Sequence, residues 1–403
     1  MKVHHNLVVA IIEALEVILI EGKQADKVLQ YTLKKNKRWG SRDRGFVAES
    51  TYEIVRRKRW YAYLAKLEEP LGQKDIPGLL AAHLGIQLPK LPPLEEFKPY
   101  RSIDFKRTIR KTEVPRSVMQ SIPQWLDDLG QEELGQQWDN ELAALNTQAP
   151  VILRANTLKT DREKLKIQLQ KEGIAADLID ELPQALQLKN RTNVFRTEAF
   201  KDGLFEVQDA SSQMVAPFLA PEPGMRVVDA CAGAGGKTLH LANLMENKGQ
   251  IIALDIYEFK LKELRLRARR NGIFNVETRL VDSSKPLKRL RSKMDKVLID
   301  APCSGLGVLR RNPDAKWKLQ PEFLDRIRKT QSEILDNYSA LVKPGGQLVY
   351  ATCSVLPSEN QQQVQAFLGR DQGKAFKLIE EKSISVAKTG HDGFYMALLQ
   401  RLE

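Results

Sequence analysis

The chain has 403 residues, 42% hydrophobic and 28% charged, with a formal net charge of +12 and a pI near 9.4. That length exceeds one ordinary core, so two or three domains are expected. Three cysteines cannot build a disulfide framework, and no spacing among Cys231, Cys303, Cys353 and the five histidines suits zinc; the chain reads as a metal-free cytoplasmic protein with reduced thiols.

The amino terminus leads into an apolar run, Leu7 to Ile20, interrupted by Glu13 and Glu16. It is too short and too charged for a membrane span or a signal peptide and suits an amphipathic helix. Residues 6 to 67 continue with apolar positions at helical spacing, such as Leu7, Ile11, Leu15 and Ile18, and form a compact helical module. From Pro70 to about Pro123 scattered prolines among charged residues suggest a long connection with short helices. Near Pro150 a small α/β segment begins: a strand at Val151 to Leu153, a helix from Asp161 to Glu172, and strands around Ala185 to Leu188 and Leu204 to Val207.

From Gly224 onward strands and helices alternate, which predicts an α/β, Rossmann-like doubly wound parallel sheet. The strands are Met225 to Asp229, Gln250 to Asp255, Val276 to Val281, Met294 to Asp300 and Gly346 to Thr352. Between them fall helices at Thr238 to Met245, Glu258 to Asn271 (closed by Gly272) and Pro321 to Leu341 (closed by Pro344-Gly345). A last helix, Ser358 to Leu368, opens with a capping-box pattern of Ser358 and Gln361.

The basic residues are clustered: Lys34, Lys35, Lys37, Arg38, Arg42 and Arg44, then Arg56 to Arg59, and a face from Lys260 to Lys293. Clustered Lys and Arg favour a polyanion, because each neutralised phosphate releases counterions. A solvated basic face kept for solubility is the competing explanation.

The loop Cys231-Ala232-Gly233-Ala234-Gly235-Gly236-Lys237-Thr238 follows the first strand of the main sheet and opens a helix. Small residues there let a ligand approach the backbone at a helix amino terminus. A dinucleotide fingerprint starting at Gly233 fails because Thr238 stands at its third glycine, and a Walker A loop ending in Gly236-Lys237-Thr238 lacks its first glycine, where Cys231 stands. S-adenosylmethionine suits the wider pattern. Asp255 ends the second strand at the distance expected of a ribose-binding acid, and Asp282, after the third, is placed to reach the adenine. A nucleic-acid-stimulated ATPase using Lys237, Thr238 and Asp300 remains as the rival.

Cys303 follows the strand ending at Asp300, and Cys353 follows the strand ending at Thr352. In an open α/β sheet the carboxyl ends of strands form the ligand crevice, so both sulfurs should face one site. Spacing does not rank them.

These residues are together similar to the Sun-type (Fmu-type) RNA cytosine-C5 methyltransferases, and within them to the bacterial RsmB-type enzymes. The matching stretches are Val207 to Ser212, Asp229 to Thr238, Asp300 to Gly305 with Arg311 to Asp314, Tyr350 to Ser354 and Asp392 to Tyr395. The family loop usually reads Ala-Ala-Pro-Gly-Gly-Lys-Thr, whereas Gly233 and Ala234 stand here for an alanine and the proline. Residues 7 to 67 resemble the NusB-like helical domain of RsmB-type enzymes, notably at Ser41 to Val47 and Val55 to Arg57.

The resemblance implies four parts: a NusB-like RNA-binding domain at 1–70, a linker with short helices at 71–145, a small α/β RNA-binding subdomain at 146–206 and a methyltransferase domain at 207–403. It implies a monomeric enzyme that methylates cytosine carbon 5 in RNA, with 16S rRNA favoured over tRNA. RNA surfaces are expected on the helical module, at Arg154 to Thr157 and on the Lys260 to Lys293 face. It implies cofactor contacts at Cys231, Ala232, Gly233, Ala234, Gly235, Gly236, Lys237, Asp255, Asp282 and Asp300.

Cytosine carbon 5 is a weak nucleophile, so covalent catalysis by a thiolate on carbon 6 is expected. A Pro-Cys nucleophile, as in DNA cytosine methyltransferases, would favour Cys303, whereas the Thr-Cys-Ser nucleophile of the RNA family favours Cys353. The assignment adopted is Cys353 as attacker and Cys303 in product release, with Asp300 at the cofactor or cytosine edge and Lys237 orienting the base. An RNA-binding assembly factor with an inactive methyltransferase fold is the non-enzymatic alternative, which an intact cysteine pair argues against.

Overall fold

A computed structural model describes residues 3–109, 114–283 and 285–403. The parts of the amino terminus, of the 71–145 stretch and of the Lys260 to Lys293 face that fall on residues 1, 2, 110–113 and 284 lie outside these. The chain forms two compact units, Met1–Thr147 with Leu309–Pro321, and Gln148–Val308 with Glu322–Glu403.

The first unit is helical. Its helix His5–Leu19 buries Leu7, Val8, Ile11, Leu15 and Ile18, the one-sided stripe that its spacing predicts. The helices Ala25–Lys35, Ser41–Arg56 and Lys58–Leu64 follow. The expected linker at 71–145 is instead built into this unit. Its helix Ile76–Gln87 buries residues all round, from Ile76 and Leu79 to Leu84, and shares a core with Leu7, Ile54 and Phe105. Pro77 sits in the first turn of that helix, where its missing N–H costs nothing, so the proline marks a helix start rather than a loop. Phe105 lies so close over Gly85 that a Cβ there would stand 2.2 Å from its ring.

Farther along, Trp138 is buried and donates through Nε1 to Asp127 at 2.8 Å. The segment Leu309–Pro321 completes the unit. Lys316 Nζ donates to the Arg56 carbonyl (2.8 Å) and Asn146 Oδ1 (3.0 Å), Trp317 Nε1 to the Val55 carbonyl (2.7 Å), and Arg56 to the Arg310 carbonyl (3.0 Å).

The second unit holds two sheets. The smaller is antiparallel, in the order β2-β3-β1-β4, with β1 Ile152–Ala155, β2 Ala176–Leu178, β3 Ala185–Leu188 and β4 Phe205–Val207. Its helix Arg162–Lys171 is capped by Asp161, whose carboxylate accepts from the Lys164 N–H. The larger sheet comprises β5 Arg226–Asp229, β6 Gln250–Asp255, β7 Val276–Leu280, β8 Met294–Asp300, β9 Val342–Thr352, β10 Phe376–Ile384 and β11 Phe394–Arg401. Its order is β10-β11-β9-β8-β5-β6-β7.

Strands β5 to β9 pair in parallel, but β11 pairs antiparallel with both β9 and β10. The sheet is therefore mixed, not the all-parallel one expected. Strand β10 is exposed over most of its length and charged, as an edge strand must be to resist further pairing, and this hides it from periodicity. Alternate residues of the inner strands feed two cores: Val228, Ile252, Val297 and Leu348 on one face, Val227, Ile251, Leu298 and Val349 on the other.

Two predicted boundaries move. The helix Pro321–Ser339 ends before Pro344-Gly345, which lie inside β9 next to a register shift against β8, so a bulged strand absorbs them. The Ser358 capping box does not form. A short turn, Pro357–Glu359, precedes a helix that starts only at Gln361, because Asn360 donates instead to the Ser354 carbonyl and bonds Thr352 Oγ1. Among the described residues no helix is long and apolar enough to cross a membrane.

Candidate active site

Strand β5 ends in Asp229 at the point where the sheet order departs in both directions, to β8 and to β6. A crevice opens there beyond the strand ends. It is a cavity of about 600 Å³ lined by Cys231, Ala232, Gly233, Ala234, Gly236 and Lys237 of the glycine loop and by Asp255 and Asp300.

The loop is shaped by left-handed backbone at Gly233 (φ 54°) and Gly235 (φ 90°). At Gly235 a Cβ would stand 2.6 Å from Leu264, so this predicted residue turns the chain and does not line the cavity. Asp255 fixes the loop by accepting the Gly233 N–H (2.9 Å) through one oxygen and the Tyr257 N–H (2.8 Å) through the other.

Two arginines hold the loop from behind. Arg154 donates to the Gly236 carbonyl (2.8 Å) and to Gln208; Arg267 donates to the Ala234 carbonyl and to Glu206, each at 2.8 Å. Arg154 and Asn156 are 1% and 2% exposed, so the stretch Arg154 to Thr157, expected to meet RNA, is mostly interior and braces the cofactor loop. Arg56 to Arg59 are likewise engaged, with Glu53 and Glu69. Lys34, Lys35, Lys37, Arg38 and Arg42 remain exposed.

Burial raises the Asp229 carboxyl to about 7, although Thr238 Oγ1 donates to it at 2.7 Å. Burial, reinforced by the surrounding aspartates, also pushes the Cys231 thiol well above its usual range. That suits a cavity wall rather than a nucleophile. Asp282 is exposed, bonds Ser283 and does not line the cavity. The rim there carries Ile256 and Tyr257, 61% and 48% exposed.

The cavity fits S-adenosylmethionine. A Cβ at Gly233 or Gly236 would meet nothing within 4 Å, Asp255 keeps lone pairs for ribose hydroxyls, and the rim offers apolar surface to a base. A P-loop lysine must be free for phosphate, whereas Lys237 Nζ lies 2.7 Å from Asp300 Oδ2 and 4.9 Å from the centre of the Phe394 ring. Burial works to lower the Lys237 pKa, but the charges of Asp300, Cys353 and Asp229 outweigh it and raise it.

Beside this ion pair the loops after β8 and β9 bring Cys303 Sγ and Cys353 Sγ to 3.4 Å. The hydrogen bond with Cys353 and then burial drive the Cys303 thiol well above its usual range. Gly307 passes where a Cβ would meet the Gly393 carbonyl at 2.1 Å and the Cys353 carbonyl at 2.9 Å. Ser211 Oγ donates to the Asp392 carbonyl, 2.7 Å away. Motifs scattered from 209 to 393 thus meet around the two sulfurs.

The sequence placed Gln208 and Ser212 in the matching stretch Val207 to Ser212 without a role at the cavity wall, where they lie, and gave no sign of Glu359 beneath the cysteines or of Thr330, Ile334 and Tyr338. The last three stand four residues apart on the helix Pro321–Ser339, a one-faced stripe that helical periodicity could have flagged.

A family model described as 16S rRNA methyltransferase RsmB/F matches residues 216–400, and one for the RsmF/B-like ferredoxin-like domain matches residues 122–195. A probable ribosomal RNA small subunit methyltransferase B from Synechocystis is 32% identical over 360 residues, 81% of each chain. The ribosomal RNA small subunit methyltransferase B of Vibrio vulnificus is 35% identical across 69% of this chain and 66% of its own. The crystal structure of PH0851 superposes over 100% of both chains with a TM-score of 0.83 and 25% identity. With its mixed Rossmann-like sheet, cofactor crevice and paired cysteines, the chain belongs to the RsmB/RsmF family of S-adenosylmethionine-dependent RNA methyltransferases.

Proposed function

We propose that this chain methylates carbon 5 of a cytosine in small-subunit rRNA through a covalent bond between Cys353 and the base. The observation that carries this reading is the 3.4 Å pair of thiols beside the cofactor cavity. The rRNA assignment draws on the substrate named for the Synechocystis and Vibrio relatives.

When bound, the cofactor supplies a methyl group made electrophilic by its sulfonium. The residues prepare the acceptor. The Cys353 thiolate forms a bond to carbon 6, and the displaced π electrons make carbon 5 nucleophilic. Once carbon 5 is methylated, its proton passes to solvent water acting as the base, and the electron pair left behind restores the ring double bond and expels the Cys353 sulfur. Cys303, whose thiol is driven up, retains a proton to donate to the departing sulfur and assists release. Asp300 meets the cytosine edge and holds Lys237 in place. The target base must be unstacked to enter this crevice.

Bisulfite sequencing of rRNA and tRNA from a strain lacking the gene tests the proposal. A single lost 5-methylcytosine in small-subunit rRNA is expected. Loss confined to tRNA would move the substrate, and no loss at all would overturn the reading.

A further inference from the structure

The geometry points to Glu359 as the positioning residue that clamps the two cysteine loops together and keeps the roles of their sulfurs distinct. This rests on the two-thiol reading above. Glu359 ends the turn Pro357–Glu359 and is fully buried. One carboxylate oxygen accepts from the Ser304 backbone N–H (2.8 Å) and from Gln331 Nε2 (3.0 Å). The other accepts from the hydroxyls of Ser304 and Ser354, each at 2.5 Å.

Ser304 follows Cys303 and Ser354 follows Cys353, so one carboxylate grips the residue next to each sulfur. Gln331 extends the clamp by donating also to the carbonyl of Pro302, which precedes Cys303 (3.0 Å). A buried carboxylate persists only where donors replace water, and here four donors converge on it. An apolar filler would hold the space but would bond neither loop.

The clamp is also electrically lopsided. Its obligatory backbone donor comes from the Cys303 loop alone, and the Glu359 charge is among the influences that raise the Cys303 thiol, after the bond to Cys353, burial and the charge of Cys353. Glu359 thereby helps Cys303 keep its proton, which suits it to the releasing rather than the attacking role. Other charged or titratable groups that act on this pair are Lys237, itself paired with Asp300, and Tyr350.

The test uses the full-length enzyme with Glu359→Gln, which keeps size and one acceptor but removes the charge. Iodoacetamide alkylation, read cysteine by cysteine by mass spectrometry without RNA, gives the Cys353 to Cys303 rate ratio. In the parent enzyme Cys353 should react faster. In Glu359→Gln the ratio should fall at least about threefold and kcat on small-subunit rRNA at least about tenfold, with KM for RNA and S-adenosylhomocysteine affinity within about twofold.

An unchanged ratio with unchanged kcat overturns the proposal. So does a loss of kcat that leaves the ratio untouched, because a merely structural staple would behave that way. If Glu359→Gln loses S-adenosylhomocysteine binding, Ser354→Ala takes one hydroxyl from the same carboxylate and carries the test: a shifted ratio supports the clamp and an unchanged one overturns it. Retained methylation in Cys353→Ala would instead refute the two-thiol reading itself, a different result in a different assay.

Discussion

Cys303 Sγ lies 3.4 Å from Cys353 Sγ, at the ends of adjacent parallel strands β8 and β9. Two thiols this close share one proton-bearing environment, so removing each has a different consequence. Cys353→Ala should abolish methylation. Cys303→Ala should let the base add but hinder release, leaving a covalent RNA–protein adduct seen as a retarded band on a denaturing gel. The reverse pattern would exchange their roles.

Asp255 holds the Gly233 N–H of the glycine loop with one oxygen and the Tyr257 N–H with the other. Asp255→Ala removes two charge-assisted hydrogen bonds, each worth about 1.5–3 kcal/mol, and the acceptor for a ribose. S-adenosylhomocysteine affinity by calorimetry should fall at least about tenfold, and ATP should not bind either protein. Tight ATP binding by the parent chain would revive the ATPase alternative.

Arg267 joins the Ala234 carbonyl of the loop to Glu206 on β4. Glu206 is 4% exposed and also bonded by Arg270 and Asn271. Arg267→Met should cost roughly 3 kcal/mol of stability by stripping a partner from a buried carboxylate, read as a lowered urea midpoint. It should also weaken cofactor binding, whereas Arg269→Met, outside this network, should leave cofactor binding unchanged.

His83 in the helical unit is 3% exposed and bonded to Tyr61 Oη (3.0 Å). Burial lowers its pKa to about 4. Between the usual value near 6.5 and pH 4 the unfolded chain therefore binds a proton that the folded one refuses, so stability falls as pH falls through this window. The loss should total roughly 3 kcal/mol and level off below pH 4. His83→Gln should flatten the difference in denaturation midpoints between pH 7 and pH 4; an equally steep loss in that variant would place the titrating group elsewhere.

The order of strands and helices around the cofactor was legible where punctuation and burial agree. Strands β6 and β8 and the helix Glu258–Asn271 lie where apolar runs end in aspartate or in Gly272, which adopts the left-handed φ of 71° that closes a helix. Reading failed where a residue serves a distant partner. Pro77 looked like loop punctuation until the core around Ile76–Gln87 showed it starting a helix. Arg154 looked like an RNA contact, yet the atoms it binds belong to Gln208 and Gly236, far along the chain. Glu359 carried no local pattern, because its meaning lies in Ser304 and Gln331, which the fold alone brings to it.

The segment Leu309–Pro321 belongs with residues made much earlier. Roughly 160 residues of the other unit must be synthesised between Thr147 and Leu309. At about 5–20 residues per second that is a delay on the order of ten to thirty seconds. During it the helical unit lacks Lys316 for the Arg56 carbonyl and Trp317 for the Val55 carbonyl. The helical unit is therefore completed only after most of the other unit has been made, and neither unit is contiguous enough to be excised by a single cut.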